Sequence, residues 1–254
     1  MSTLAGKSAL LVGAGGLGSP AGTLLARAGV GRIRVLDDDV VEESNLQRQT
    51  LYSRADVGAS KALCAAECLR HEAQSAGHTH VCVQAHEGRL LPDTAAELVR
   101  GFDLVVEGSD NYPTKFLTAD ACFLAGVPCV QAGAVRWVGW VLGSIPGRSA
   151  CLRCVFEDIP PGPDRGCATA GVIGPVVGVI GALQAATALR ILSGDSAAAG
   201  VLHHYRALEG SLRRTSVPPS QSCPMCNGQM TRLDEARYAA PGCIDSPRTP
   251  HCAQ

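Results

Sequence analysis

Leu10-Leu11-Val12-Gly13-Ala14-Gly15-Gly16-Leu17-Gly18-Ser19-Pro20 runs an apolar strand straight into a glycine turn and then into a helix, the order of a nucleotide-binding βα turn. Gly13 permits the tight turn, Gly15 and Gly16 let phosphate oxygens approach the backbone, and Gly18 lets the helix pack close to the strand. The helix N-terminus adds free N–H donors and a partial positive charge. Glycine also collects in ordinary turns, so the identity of the nucleotide has to come from elsewhere in the chain.

Outward from the turn, leucines and alanines at helical spacing predict a helix over 17–28 that stops at Gly29. A strand over 32–36 follows and ends on Asp37-Asp38-Asp39, where a dinucleotide fold holds a ribose hydroxyl. Three adjacent carboxylates repel unless something positive sits nearby, so ribose or metal contact competes with a solvated acidic turn. Residues 43–52 are too polar for a strand and read as an ordered loop at the mouth of the sheet, with Asn45, Arg48 and Gln49 as its polar tips. Lys61 opens the next helix, where a solvated first-turn lysine is the plain alternative.

A second series has strands at 81–83 and 102–106, a helix at 94–100, and the sequence Glu107-Gly108-Ser109-Asp110-Asn111. Alternation of this kind predicts a mostly parallel, Rossmann-like α/β sheet covered on both faces, with ligands beyond the carboxyl ends of the strands. Asp110 then shares a rim with Gly15 and Asp37. A helix over 112–125 and a strand over 127–131 lead into 133–145, whose alternation suggests an antiparallel extension. Residues 157–170, with Pro160-Pro161-Gly162-Pro163 and Cys167, read as a loop. The apolar run 171–192 contains Pro175, Gln184, Thr187 and Arg190, which favours a buried core helix over a membrane span. Segments 201–206 and 211–217 read as a hairpin, and the tail from 227 to 254 as loose.

The chain has 254 residues, enough for one large α/β domain, here taken as 1–226 with 151–226 as its metal-bearing part. With 22 basic and 23 acidic residues the net charge is -1, which argues against nucleic acid or a membrane surface as the main partner. Aromatic residues make up only 4%, too few for base-stacking platforms. No leader-like segment precedes the first strand, so the twelve cysteines imply a reducing cytoplasm rather than a disulfide scaffold. Cys151-Leu-Arg-Cys154 and Cys223-Pro-Met-Cys226 form two paired bites suited to tetrahedral zinc. A redox dithiol would account for one pair, not two.

Gly-Ala-Gly-Gly-Leu-Gly at 13–18, Ser-Asn-Leu-Gln-Arg-Gln at 44–49, Ser-Asp-Asn at 109–111 and the paired cysteines together resemble the MoeB/ThiF adenylyltransferase family, bacterial relatives of ubiquitin-activating enzymes. The resemblance implies ATP on the glycine turn, with Asp37 on the ribose, Asp39 among the nucleotide-binding residues, and Arg48 and Lys61 on the phosphates. It also implies that Asn45 and Gln49 orient the phosphates and that Asp110, beside Asn111, binds Mg²⁺. The implied reaction is attack by the C-terminal glycine carboxylate of a ubiquitin-like sulfur-carrier protein ending in Gly-Gly on the α-phosphate, within a homodimer. Cys167 matches a crossover-loop cysteine that is covalently used in some members. Members also carry a leading helix whose arginine reaches the partner's ATP site, and no arginine precedes the first strand here. Two other readings stay open: an NAD-dependent oxidoreductase, which leaves the Asn45–Gln49 cluster unexplained, and a non-catalytic binder of a ubiquitin-like partner.

Overall fold

A computed structural model describes residues 4–160 and 171–238. Eight strands form one sheet in the order β3-β2-β1-β4-β5-β6-β7-β8. They are β1 (Ser8–Val12), β2 (Arg32–Asp37), β3 (Cys82–Glu87), β4 (Leu104–Glu107), β5 (Cys129–Val135), β6 (Val138–Ser144), β7 (Val201–Arg206) and β8 (Ser211–Ser216). The first five pair in parallel and the last three add antiparallel strands. This is the expected α/β sheet with its antiparallel extension.

Burial follows the pairing. Every residue of β1 and β4 is buried, as strands covered on both faces require. β8 is exposed throughout, and Arg213 and Arg214 keep this edge polar. One apolar cluster lies between the sheet and α1 (Gly18–Arg27), α2 (Lys61–Ser75) and α6 (Gly174–Leu192). The other lies beneath α3 (Ala95–Arg100) and α4 (Tyr112–Ala125) on the opposite face. A short α5 (Leu152–Phe156) carries the first cysteine pair, and α7 (Glu235–Tyr238) is the last described helix.

Chain order reverses between β1 and β4, because the first unit winds outward through β2 and β3 and the second starts on the other side of β1. A crevice opens at that point, beyond the carboxyl ends of the strands. α4 starts there for local reasons: Asn111 caps it, its side-chain oxygen accepting the Thr114 N–H at 2.9 Å, and Pro113 occupies the first turn. Gly126, with φ of 73°, closes it.

Several expectations shift. The strand expected at 81–83 runs to Glu87, and that expected at 127–131 becomes Cys129–Val135 in a hairpin with β6, because cross-strand bonds rather than local alternation set the ends. The run 171–192 is the buried helix α6, packed against β4, β5, β6 and α1. It is long and apolar enough to cross a membrane by composition, but more than half of its apolar stretch is buried inside the protein. Within the tail expected to be loose from 227, most described residues are exposed, but Met230 and Tyr238 are buried: Tyr238 is 7% exposed and donates a hydrogen bond to Asp120 Oδ2 at 2.8 Å. Cys167, most of the loop expected at 157–170, and residues 239–254 lie outside the described residues.

Candidate functional site

A cavity of about 670 Å³ occupies the crevice and brings together Gly13, Gly15, Gly16, Asp37, Asp39, Arg48, Gln49, Lys61, Asp110 and Asn111. The glycines are required by close approach. Gly13 has φ of 84°, and a Cβ on it would lie 3.0 Å from Ser109 N. A Cβ on Gly18 would meet Gly13 O at 2.0 Å. The glycine turn is therefore wedged against the 108–109 backbone, and α1 starts hard against the turn. Gly18 supports the cavity from behind rather than lining it.

The acidic triplet resolves into three different environments. Asp37 Oδ2 accepts the Ala14 N–H at 2.7 Å and Oδ1 accepts the Asp39 N–H at 2.9 Å, so this carboxylate stitches the glycine turn to the end of β2. Burial raises the Asp37 carboxyl above its ordinary value, against the lowering pull of those N–H groups and of Lys61. A carboxylate has about four acceptor positions, so both oxygens retain room for a hydroxyl donor. Asp38 pairs with Arg89, and Asp39 pairs with Lys61 at 2.9 Å. The solvated-lysine alternative for Lys61 fails, since its side chain is only 7% exposed.

The polar tips of the 43–49 segment pack directly on the glycine turn. A Cβ on Gly15 would lie 3.5 Å from Gln49 Nε2, and one on Gly16 would lie 3.6 Å from the Arg48 stem. Asn45 stands behind the cavity wall: its Oδ1 accepts from Gln49 Nε2 at 3.2 Å, fixing that amide. Gln49 Oε1 is buried without a partner, an acceptor position that a ligand donor or water would satisfy. Among the described residues Arg48 donates only to Ser44 O, at 3.2 Å, which leaves most of its guanidinium without a described partner.

Asp110 is exposed on the cavity wall. Among the described cavity-lining carboxylates, it and Glu235 are the two without a hydrogen-bond or ion-pair partner. The hard oxygens of Asp110 suit a divalent cation such as Mg²⁺ that is also held by phosphate oxygens. Residues not singled out from sequence also line the cavity: Arg89, Leu90, Leu91 and Pro92 after β3, and Glu235 and Tyr238 from α7. No local signal marked the first group: the strand expected at 81–83 stops short of Gly88-Arg89, which directly follows a strand only because β3 extends to Glu87. Nothing local marks the second.

About α4, on the side away from the rim, the two cysteine pairs meet. Their sulfurs all lie within 4.8 Å of one another. Cys151 is 3.8 Å from Cys154 and 3.5 Å from Cys223, while Cys226 is 3.4 Å from Cys154 and 3.7 Å from Cys151. A tetrahedron with Zn–S bonds of about 2.3 Å has edges of about 3.8 Å, so this donor set could hold zinc. The Ser220 N–H donates to Cys154 Sγ at 3.4 Å. Burial works against the Cys154 thiolate, but this N–H and the neighbouring sulfur contacts outweigh it and hold the thiol below its ordinary value. Cys151, Cys223, Met225 and Met230 pack with Phe123 and Leu124 at the far end of α4.

The comparisons with known proteins agree with this geometry. A family model described as the ThiF family matches residues 1–225. The sulfur carrier protein adenylyltransferase of Thermus thermophilus is 42% identical over 240 residues, covering 92% of this chain and 87% of that protein. The SAMP-activating enzyme E1 of Haloferax volcanii is 38% identical over 90% of this chain and 84% of its own length. The adenylyltransferase and sulfurtransferase MOCS3 of Sus scrofa is 42% identical over 92% of this chain, which spans about half (51%) of that protein. Among solved structures, E. coli MccB with ATP superposes with a TM-score of 0.74 over 88% of this chain and 67% of its own, at 22% identity, a likeness of fold. The matched family model and relatives aligned over nine-tenths of the sequence support the same conclusion as the glycine rim: the chain belongs to the ThiF family.

Proposed function

We propose that the protein is an adenylyltransferase that uses ATP to activate the C-terminal glycine carboxylate of a ubiquitin-like sulfur-carrier protein, releasing pyrophosphate. The observation that carries this reading is the convergence on one cavity of the glycine turn, Asp37, Arg48, Gln49, Lys61 and Asp110, contributed by separate segments of the chain. Membership of a family whose relatives carry that activity in their names supports it.

The triphosphate lies along the glycine turn and the α1 N-terminus, with Asp37 accepting from the ribose and Asp39 beside it. One oxygen of the carrier's carboxylate forms a bond to the α-phosphorus as the bond to the bridging oxygen breaks, and pyrophosphate departs with that electron pair. Arg48 and Lys61 offset the charge that builds on the phosphates; Lys61 has donors to spare beyond Asp39. Asn45 sets Gln49, and Gln49 and Asn111 orient polar groups at the reacting end. A magnesium ion held by Asp110 would neutralise phosphate charge and lower the repulsion felt by the incoming carboxylate. No side-chain nucleophile is needed for this step, and any covalent role of Cys167 would follow it.

The four cysteines hold a structural zinc, a reading supported by sulfur separations close to a tetrahedron's edges. We infer in addition a homodimer and a cytoplasmic setting. The test is ATP–pyrophosphate exchange that depends on a small ubiquitin-like protein ending in Gly-Gly, with the acyl-adenylate detected by mass. Exchange without such a partner, or none with any, overturns the proposal. ATP binding without turnover would favour the non-catalytic alternative.

A further inference from the structure

Beneath Asp110 lies an ion pair that the reaction does not touch. Glu107 ends β4 with 0% exposure, and its Oε2 accepts from Lys115 Nζ, on the second turn of α4, at 2.9 Å. Lys115 also donates to Ala132 O on β5 at 2.6 Å. The other carboxylate oxygen, Oε1, accepts both the N–H of Ser109, at 2.7 Å, and its hydroxyl. Gln184 of α6 donates to Glu107 O at 2.6 Å and to Val130 O at 3.0 Å, anchoring the strand end from the opposite face.

Apolar side chains of similar size would fill this volume without desolvating two charges, so core packing alone gives no reason for the pair. What they could not do is accept two hydrogen bonds from Ser109. Ser109 N is the atom nearest to where a Gly13 Cβ would stand, so the Ser109 backbone is held between the glycine turn on one side and Glu107 on the other. Asp110 is the next residue, free of partners among the described residues, and its direction is set by the backbone before it.

We infer that Glu107 and Lys115 are positioning residues for the cation site: Lys115 fixes one oxygen of Glu107 so that the other holds the Ser109 turn and aims Asp110 at the divalent cation accompanying the nucleotide. The inference rests on the reading of Asp110 given above. Its signature is selective. Nucleotide held by the glycine turn, Arg48 and Lys61 is unaffected when the pair is broken, whereas the cation loses its aimed ligand.

Glu107→Gln tests this with almost no change in volume, because an amide has one acceptor oxygen and serves Ser109 or Lys115 but not both. Cation affinity is read from Mn²⁺ by electron paramagnetic resonance with a non-hydrolysable ATP analogue present, and analogue binding in EDTA is read by calorimetry. Glu107→Gln and Lys115→Met should weaken Mn²⁺ binding by about 10–100-fold and leave metal-free analogue binding at the parental value, while Lys115→Arg should restore the cation. Ser109→Ala, at a partly exposed position, removes one bond to Glu107 and should give a smaller loss in the same direction, which keeps the test alive if the buried variants do not fold. Parental Mn²⁺ affinity in folded Glu107→Gln, or in Ser109→Ala where the buried variants fail, overturns the inference, as does a proportional loss of analogue binding. Asp110→Asn separates the premises: parental cation affinity there sinks the Asp110 reading itself, whereas a loss there with none in Glu107→Gln sinks only the positioning role.

Discussion

The rim and the cysteine knuckle sit at opposite ends of α4 and are held together in opposite ways. At the rim, Asp39 meets Lys61, Asp38 meets Arg89 and Asp37 meets two backbone N–H groups, so most of the charge is already answered by the protein. At the knuckle four sulfurs converge, and Arg153, the basic residue within the first Cys-x-x-Cys, turns away to Asp120. A rim of this kind keeps its shape while ligands come and go. The knuckle's shape depends on what the four converging sulfurs share, and the difference divides the expected effects of substitution between catalysis and folding.

The largest effect should come from the knuckle. Cys154→Ser or Cys226→Ser should reduce bound zinc from one per chain to none and lower the melting temperature sharply, because zinc affinity at such sites is folding free energy. Metal analysis paired with thermal unfolding checks it. Zinc-free wild-type protein with unchanged stability would break the contrast.

Next comes the tie between the knuckle and α4. Arg153 and Asp120 are each 1% exposed. Arg153 donates to both Asp120 oxygens, at 2.9 and 2.8 Å, its guanidinium lies 4.9 Å from the Phe116 ring centre, and Tyr238 donates to the same carboxylate. Arg153→Met leaves Asp120 buried and without its cation, so a loss of about 3–5 kcal/mol in denaturant unfolding is expected. Tyr238→Phe should cost about 1 kcal/mol. A neutral result for Arg153→Met would mean that the two regions are not joined through α4 in energetic terms.

At the rim, Asp110→Ala should leave unfolding unchanged, since the side chain has no partner among the described residues, while exchange falls by about 10²–10³. Loss of stability with activity retained would reverse the assignment of the two regions.

The smallest effect lies in the antiparallel arm. Burial first, then Arg214 and Arg190, hold His203 on β7 below the ordinary histidine value. The folded state therefore binds the proton less tightly than the unfolded chain. Stability from this residue is full above about pH 6.5 and is lost as pH falls toward the lowered folded value. Urea unfolding between about pH 7.5 and about pH 5 should show that slope in the parent and a shallower one in His203→Gln; identical slopes remove the histidine from the account.

Much of the parallel half could be read in advance because its signals are local. The helix expected at 112–125 is α4, residue for residue, since Asn111, Pro113 and Gly126 are its cap, first turn and stop. The glycine spacing located the crevice, and Lys61 stands at the first position of α2. Polarity without periodicity described the 43–52 segment only as a loop, although Asn45, Arg48 and Gln49 were identified as held polar tips. The anchor within the tail was not legible for a related reason: composition registers the polar residues around Tyr238 but not the buried Asp120 that receives its hydroxyl, 118 positions away.

Sequence by itself determined the βα alternation, the glycine turn, the cap positions and the two cysteine bites, all of which depend on residues a few positions apart and on the preferences of the backbone. Only the tertiary structure decided that Lys61 is buried against Asp39, that Arg89 and α7 complete the cavity wall, that Glu107 and Lys115 stand beneath Asp110, and that the cysteine pairs meet. Those facts depend on which strand ends lie side by side and on which charges are desolvated together. Such energies arise between groups far apart in the chain, and no local pattern encodes them.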